Sequence, residues 1–438
     1  MSDLVIGSAS LTFEVHEPEI DGDRIQLHFA LRDRDDIVAS YTERIGLPSA
    51  ATDADLGNLP RLLALAASLS YYKAYIPPTI AVSFALSPSE RAFLSELVRN
   101  GLSEFAYRNN TPAALRPTIQ APDGLDTPGS TGHPMGGLRR ALVAVGGGKD
   151  SIVTLDAVRT AGIEQTLFSV NDYLPIGRTA KRADLPLIQA TRKLDPLLFE
   201  HNKAGALNGH IPVTAINSLI GCIVAVRGGF SDVVFSNEAS ASAGNTLWEG
   251  VEVNHQWSKG LRFETLLREQ VGSLGIEYFS LLRPFTELAI MRRFGQLTEF
   301  HDVFTSCNRA FHLDPEMRRS WCGECPKCRF VFLMLAPFIT RDALLSIFSG
   351  RDLLRDPAQR EGFLELFNVD GRMKPFECVG EPSECLAALH LIGQSPEWAD
   401  LDLLELDTMT DAAVEALFSA SSEHHVPEAF TGALDAIQ

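Results

Sequence analysis

Residues 141–153 form the stretch with the clearest chemical potential, because an apolar strand is followed there by a glycine loop and the start of a helix. Three consecutive glycines precede Lys149, Asp150 and Ser151. Glycines permit a tight turn with uncovered backbone N–H groups, and the positive end of the helix dipole points into such a loop. The stretch therefore predicts a phosphate-binding loop. Its candidate ligands are Gly146, Gly147, Gly148 and Ser151.

The loop lacks the glycine spacing of a Walker A motif and of the dinucleotide fingerprint. It resembles the Ser-Gly-Gly-x-Asp-Ser loop of the N-type ATP pyrophosphatases, with Gly146 in place of the first serine. This resemblance implies that ATP is cleaved to AMP and pyrophosphate while a carboxylate or carbonyl oxygen is activated. It also implies that Lys149 supplies phosphate charge and that Asp150 organises Mg²⁺ or phosphate. A plain glycine turn between a strand and a helix is the alternative.

Four cysteines form a second group with metal-ligand spacing. Cys322, Cys325 and Cys328 make a Cys-x2-Cys-x2-Cys run, and Cys307 adds one thiol upstream. Four thiolates suit a tetrahedral structural Zn²⁺, an iron–sulfur cluster uses the same ligands, and reduced cysteines without metal are the third alternative. The pattern resembles the cysteine segment of the ATP pyrophosphatases that make the nitrile of deazaguanine bases, with a longer spacer after Cys307.

A third polar region follows the predicted strand 232–235. Residues 236–259 gather carboxylates, amides, a histidine and a lysine, which are groups that bind magnesium phosphates and move protons. Glu238 is therefore a second candidate Mg²⁺ ligand. Ligands of parallel sheets lie beyond the carboxyl ends of the strands. Ser236 and Asn171, which each follow a predicted strand, are thus candidate nucleotide contacts.

Three residues are candidates for proton transfer. Glu252 and His255 lie in the same polar region, and Cys378 lies further along the chain. Each has a simpler alternative: the first two as solvated loop residues and Cys378 as a small buried apolar side chain. Lys149 and Asp150 complete the candidate catalytic set.

Taken together, these motifs resemble the MurL-type UDP-N-acetyl-alpha-D-muramoyl-L-alanyl-L-glutamate epimerases over nearly the whole chain. The matching segments are the glycine loop, Ser-Asn-Glu-Ala-Ser at 236–240, Asn-His-Gln-Trp-Ser-Lys at 254–259, the cysteine cluster and Lys-Pro-Phe-Glu-Cys-Val-Gly-Glu at 374–381. The resemblance implies ATP- and Mg²⁺-dependent conversion of the terminal L-Glu of the cell-wall precursor UDP-MurNAc-L-Ala-L-Glu to D-Glu. An acyl-adenylate would form, and AMP and pyrophosphate would be released.

This chemistry is physically coherent, because adenylation removes the carboxylate charge that opposes loss of the adjacent Cα proton. A positioned base and acid can then exchange the proton. Two other classes stay open. One is another enzyme of the ATP pyrophosphatase type, which forms an amide or nitrile or transfers sulfur. The other is a non-catalytic nucleotide sensor.

The elements that must position these residues alternate between strand and helix from 138 to 338. Predicted strands lie at 141–145, 165–170, 232–235, 276–281 and 301–305. Predicted helices lie at 150–160, 185–194, 213–227 and 263–274. The alternation predicts an α/β domain with a doubly wound parallel sheet. The resemblance identifies this sheet as the HUP-like fold of the PP-loop ATP pyrophosphatases.

The remaining chain divides into three further segments. Residues 1–125 show period-two alternation and then helical spacing, at 60–74 and 87–105, which predicts an α+β unit with a possible role in substrate binding. Residues 126–137 are rich in Gly and Pro and indicate a linker. Residues 339–438 are predicted to be mostly helical.

Composition restricts the partners of this chain of 438 residues. A net charge of −18 argues against a nucleic-acid partner, and no apolar run is long enough for a membrane span. The seven cysteines are an odd number, and the N-terminus lacks the features of a signal peptide, so we expect a cytoplasmic protein without a disulfide framework. The oligomeric state stays open. An anionic ligand would need a local cationic pocket, for which the candidates are Lys149, Lys181, Arg182, Lys259 and Arg262.

Overall fold

The computed structural model describes residues 5–49, 54–126, 139–311 and 320–438. Within these ranges, one sheet of eleven strands runs through the molecule, and β11 and β12 form a separate hairpin. The strands are β1 (Leu11–Val15), β2 (Glu19–Asp21), β3 (Arg24–Asp33), β4 (Asp36–Gly46), β5 (Thr79–Val82), β6 (Thr118–Gln120), β7 (Arg140–Ala144), β8 (Glu164–Val170), β9 (Leu187–Lys193), β10 (Asp232–Phe235), β11 (Thr246–Trp248), β12 (Val251–Val253) and β13 (Glu277–Ser280).

The sheet is mixed, with an all-parallel half that carries the glycine loop. Its order is β13-β10-β7-β8-β9-β4-β3-β1-β5-β6, with β2 paired to β3. The strands from β13 to β9 are parallel. The chain runs outward from β7 through β8 to β9 and then crosses back to β10 on the other side of β7. Such a reversal opens a crevice at the carboxyl ends of the strands. The predicted α/β class is confirmed.

The strands of the N-terminal region extend the same sheet. β4 pairs antiparallel with β9, where Ile45 lies opposite Arg192. The guanidinium of Arg192 also binds the carboxylate of Glu43, with Nε and Oε1 2.7 Å apart, and the Glu43 side chain is fully buried. The N-terminal and central strands therefore form one continuous surface.

Helices cover both faces of the parallel half. Alternate residues of β7 pack into two different cores. Leu142 packs with the helices at residues 59–72 and 213–228, and Val143 packs with the helices at residues 149–160 and 287–296. The helices are α1 (Leu59–Tyr72), α2 (Pro88–Arg99), α3 (Ser103–Asn109), α4 (Lys149–Thr160), α5 (Leu174–Ala183), α6 (Pro196–Lys203), α7 (Val213–Gly228), α8 (Leu261–Val271), α9 (Glu287–Gln296), α10 (Pro326–Leu335), α11 (Arg341–Ile347), α12 (Arg360–Phe367), α13 (Pro382–Gly393), α14 (Asp411–Ala416) and α15 (Thr431–Asp435). The region from 339 onward is helical, as predicted. Among the described residues, none of the helices is both long and apolar enough to cross a lipid bilayer.

Two predicted elements are wrong. The segment 185–194, predicted as a helix, forms strand β9, because pairing with β8 on one side and β4 on the other overrides local helical spacing. The segment 301–305, predicted as a strand, is a turn, and the N–H of Thr305 donates to the carbonyl of Gly147 at 3.0 Å. The predicted helix 87–105 is divided into α2 and α3. The linker predicted at 126–137 lies outside the described residues except for Asp126.

Candidate active site

The glycine loop joins β7 to α4 in a conformation that needs its glycines. Gly147 has φ +80°, and a Cβ at this position would lie 2.9 Å from the carbonyl carbon of Pro175. Gly148 is the N-cap of α4, and no side chain caps this helix end. A Cβ on Gly146 would meet nothing within 4 Å. The loop is thus packed on the Gly147 side and open on the Gly146 side.

A cavity of about 300 Å³ lies in the crevice next to the open side of the loop. Phe168 and Val170 from β8, with Phe235 from β10, give it apolar walls. The Ser236 hydroxyl also lines it and is buried without a partner among the described residues. Further polar lining comes from Gly146, Gly148, Asp150, Ser151, Asn237, Lys259, Ser306 and Lys327.

Most of the residues predicted to bind the nucleotide line this cavity, but two do not. Gly147 packs against the start of α5 instead. The Asn171 side chain accepts a hydrogen bond from the backbone N–H of Arg192 at 2.8 Å and is not part of the lining. Asn171 therefore fixes the end of β8 to β9.

Lys149 is buried beneath the loop, with 3% of its side chain exposed. Its ammonium group donates to the carboxylates of Asp150 and Glu287. Although burial opposes the charged form, these carboxylates raise the pKa of Lys149 above its usual value. The Lys149 ammonium is thus paired with protein carboxylates. The positively charged side chains that line the cavity are instead Lys259 and Lys327.

The other candidate cations lie elsewhere. Arg182 binds Asp302 with Nη1 and Oδ1 2.7 Å apart, and exposed Arg262 binds Glu96 at 3.3 Å. Lys181 is exposed on α5. Sequence reasoning missed Lys327, although its place inside the Cys-x2-Cys-x2-Cys run was a usable signal.

A smaller pocket of about 40 Å³ borders the main cavity, and both are lined by Asp150, Lys259, Ser306 and Lys327. Glu238 and Cys378 line only the smaller one. Glu238 is 4% exposed, and its carboxylate accepts no hydrogen bond within the part of the chain that the structure describes. The two candidate Mg²⁺ ligands, Asp150 and Glu238, therefore line one pocket.

Cys378 is partly exposed and lies among positive charges. The Lys259 ammonium is 3.2 Å from its Sγ, and His255 also acts on the thiol. Burial opposes the thiolate, but Lys259, Lys327 and His255 together lower the pKa of Cys378 well below its usual value. The arrangement favours the thiolate over the thiol.

Glu252 lies apart from this cluster. It is exposed on β12, and its Oε1 accepts a hydrogen bond from the N–H of Gly244 at 2.9 Å. It lines neither the main cavity nor the small pocket. Of the three candidates for proton transfer, the structure brings only His255 and Cys378 together.

The four cysteines of the predicted cluster converge beside α10. The Sγ atoms of Cys322 and Cys328 are 3.7 Å apart, those of Cys325 and Cys328 3.5 Å, and those of Cys307 and Cys325 4.0 Å. Tetrahedral zinc with Zn–S bonds of about 2.3 Å would set sulfurs about 3.8 Å apart. The Glu324 N–H also donates to Cys322 Sγ at 3.4 Å. The donor set and spacing fit a tetrahedral metal.

The fold and this site define an α/β protein whose ligand crevice opens where the strand order reverses, beside a cluster of four thiols. The chain belongs to the MurL family: the family model of the MurL N-terminal domain matches residues 7–281, and that of the MurL C-terminal domain matches residues 303–423. This result confirms the resemblance drawn from the motifs.

Three relatives carry the name UDP-N-acetyl-alpha-D-muramoyl-L-alanyl-L-glutamate epimerase. The protein from Salinispora tropica is 45% identical over 91% of this chain and 89% of its own length. The one from Micromonospora sp. is 45% identical over 90% of this chain and 91% of its own length. The one from Xanthomonas oryzae pv. oryzae is 42% identical over 84% of both chains. No solved structure matches the chain.

Proposed function

We propose that this chain is an ATP-dependent epimerase that converts the terminal L-Glu of UDP-MurNAc-L-Ala-L-Glu to D-Glu in peptidoglycan precursor synthesis. The names of its relatives support this substrate. The observation that carries the proposal is the position of Cys378. This thiol, whose pKa is lowered, lines a pocket that shares four residues with the cavity beside the glycine loop.

The main cavity fits a nucleotide of the ATP type. Its loop, at the start of α4, offers backbone N–H groups and the helix dipole to phosphate oxygens, and Ser151 and Ser236 add hydroxyl donors. Lys259 and Lys327 supply the positive charge, and the walls formed by β8 and β10 offer apolar surface to a base. In this proposal the PP-loop is Gly146–Gly148 with Ser151, and the glutamate carboxylate would be adenylated with release of pyrophosphate.

Mg²⁺ fits the carboxylates of the smaller pocket. Asp150 lines both pockets and Glu238 has a carboxylate free of hydrogen-bonded partners among the described residues. Carboxylate oxygens together with substrate phosphates are the ligands Mg²⁺ prefers. When bound there, the ion would neutralise phosphate charge, and Lys149 would hold Asp150 in place from below the loop.

Cys378 is the proposed base on one face of the substrate Cα. Its thiolate takes the Cα proton and becomes a thiol, while the electron pair of the C–H bond enters the enolate of the adenylated carboxyl group. A proton delivered to the opposite face gives the D-glutamyl adenylate, and water then attacks its acyl carbon, which releases AMP and leaves the free D-Glu carboxylate. The charge of His255 acts on Cys378, so we assign His255 to the side of the base rather than to the opposite face of the substrate carbon.

The Cys307, Cys322, Cys325 and Cys328 cluster is proposed as a structural Zn²⁺ site. Its location supports this role, because Cys325 and Cys328 flank the first residues of α10, which include the cavity residue Lys327. A metal with all four positions taken by thiolates has no open position for substrate.

The proposal is tested with purified protein, UDP-MurNAc-L-Ala-L-Glu, ATP and Mg²⁺ in deuterated water. AMP, pyrophosphate and the configuration of the glutamate are followed together. We expect D-Glu with deuterium at Cα, formed only when ATP is present. AMP release without inversion would reject the epimerase and favour another ATP pyrophosphatase, and ATP binding without pyrophosphate release would favour a sensor.

A matched pair of variants assigns the base. Cys378→Ser should abolish deuterium incorporation at Cα, because a serine hydroxyl stays protonated at neutral pH. Cys222→Ser is the control, since Cys222 is buried in α7 and lines neither pocket. Equal exchange in both variants would remove Cys378 from the mechanism.

A further inference from the structure

Helix α3, in the N-terminal region, reaches the segment that carries Cys378. Glu104, Tyr107 and Arg108 occupy positions i, i+3 and i+4 of this helix and therefore share one face. The ring of Tyr107 packs against that of Phe376, with centroids 5.4 Å apart. The Arg108 guanidinium lies 4.9 Å from the centroid of the same ring. One face of α3 thus holds the chain two residues before Cys378.

Glu104 on the same face is a buried carboxylate with 4% of its side chain exposed. Its Oε2 lies 2.5 Å from Nδ1 of His255 and 3.7 Å from Nδ1 of His210, and its Oε1 accepts from Nε of Arg108 at 2.6 Å. Burial raises the pKa of Glu104, but its hydrogen bond with His255 and the nearby positive charges lower it overall. A buried, ionised carboxylate is costly unless it is paired in this way.

We propose that Glu104 is a positioning residue that orients the His255 ring beside Cys378, so that the three side chains act as one unit. The inference rests on the proposed role of Cys378 as the base. Nδ1 of His255 lies 2.5 Å from Glu104 Oε2, and the positive charge of His255 acts on the Cys378 thiol. A carboxylate that orients an imidazole beside a reactive group is the arrangement of catalytic triads. The N-terminal region would then complete the catalytic centre.

The charges around the unit agree with this assignment. Burial disfavours the imidazolium of His255, but Cys378 and the Glu104 carboxylate raise its pKa to about 9. The neighbouring ring of His210, 4.4 Å away between centroids, has its pKa lowered to about 4 by burial and by the charge of His255. At neutral pH the charged ring is therefore that of His255. Lys259 and Lys327 are the other positive groups that act on the thiol.

The test is the pH dependence of alkylation at Cys378, because iodoacetamide reacts with the thiolate and not with the thiol. The full-length protein is treated from pH 5 to pH 10, and modification of Cys378 is quantified by peptide mass spectrometry. In Glu104→Gln the imidazolium loses its carboxylate partner. The alkylation profile should shift to higher pH by about one unit or more, since a close opposite charge moves a pKa by about 1–3 units. Below the midpoint, this shift lowers the alkylation rate about tenfold.

Glu96→Gln is the matched control, since it makes the same charge change on neighbouring helix α2. Glu96 binds Arg262 and Asn100 and touches neither His255 nor Cys378. Its profile should coincide with that of the parent protein. Glu104→Asp keeps the carboxylate charge and should lie closer to the parent than Glu104→Gln does. If Glu104→Gln does not fold, His255→Asn tests the same link and should produce a similar upward shift.

Two outcomes separate this inference from the proposed function. Coincident profiles for the parent and Glu104→Gln would overturn the positioning role, even if the protein epimerises its substrate. A shifted profile in a protein that fails to epimerise UDP-MurNAc-L-Ala-L-Glu would support the unit of Glu104, His255 and Cys378 and reject the proposed substrate.

Discussion

Replacing Gly147 by alanine should destabilise the glycine loop far more than the same change at Gly146. Gly147 has φ +80°, a left-handed conformation that costs an L-residue about 1–2 kcal/mol. The added Cβ would also lie 2.9 Å from two atoms of Pro175, and such overpacking costs about 1–3 kcal/mol. The two effects together lower the free energy of unfolding by about 2–5 kcal/mol.

At Gly146 the added methyl group meets nothing within 4 Å. The free energy of unfolding should therefore stay within about 0.5 kcal/mol of the parent value. Gly146 lines the cavity, however, so its methyl group should keep phosphate oxygens from the backbone. We expect nucleotide affinity to fall about tenfold, which corresponds to about 1.4 kcal/mol.

Urea denaturation measures the free energy of unfolding, and calorimetry with an ATP analogue that has a non-cleavable α–β bond measures affinity. Equal stabilities for Gly146→Ala and Gly147→Ala would contradict the close approach of Gly147 to Pro175. An unchanged affinity in Gly146→Ala would mean that phosphate does not bind beside the loop. The pair thus separates the role of the loop in folding from its role in binding.

Three further predictions follow from the buried and metal-binding groups. Cys328→Ser should reduce zinc content, measured by inductively coupled plasma mass spectrometry, and an unchanged content would reject the four-thiolate site. Lys149→Met leaves the Glu287 carboxylate buried and unpaired, so the free energy of unfolding, measured by urea denaturation, should fall by about 3–5 kcal/mol. Lys181 is exposed, and Lys181→Met should change the free energy of unfolding by less than about 0.5 kcal/mol. Because the pKa of Cys378 is lowered, the epimerisation rate should be maintained well below the usual thiol pKa of about 8.5 and should fall only as the pH drops through the lowered pKa. A rate that already falls as the pH drops through about 8.5 would show that Cys378 does not act as a thiolate of lowered pKa.

The glycine loop and the cysteine cluster could be predicted because their signals are local. An apolar strand before Gly146 and a helix after Gly148 fix the position of the loop. The short spacing of Cys322, Cys325 and Cys328 keeps their sulfur atoms close together. The alternation of strands and helices predicts a parallel sheet, and ligands of such sheets bind at the carboxyl ends of the strands. The MurL resemblance drawn from these segments is confirmed over both family domains.

The errors and omissions share a non-local cause. In the segment 185–194, Leu187 and Leu194 are seven residues apart, a helical spacing, and pairing with β8 and β4 makes the segment a strand instead. Glu104 is 151 residues from His255 in sequence, and it lies in a helix whose spacing gives no sign of that contact. Buried Glu287, which pairs with Lys149 across 138 residues, was missed for the same reason.

The continuous sheet explains how such distant residues meet. Because β4 pairs with β9, the N-terminal strands are extensions of the sheet whose edge carries the glycine loop. The buried pair of Glu43 and Arg192 fixes this junction, since separating the two groups would leave an uncompensated charge. Helix α3 is therefore held relative to the loop by the sheet and by its own contacts with Phe376. A loosely attached binding module could not hold Glu104 2.5 Å from the His255 ring, whereas an extension of the same sheet can.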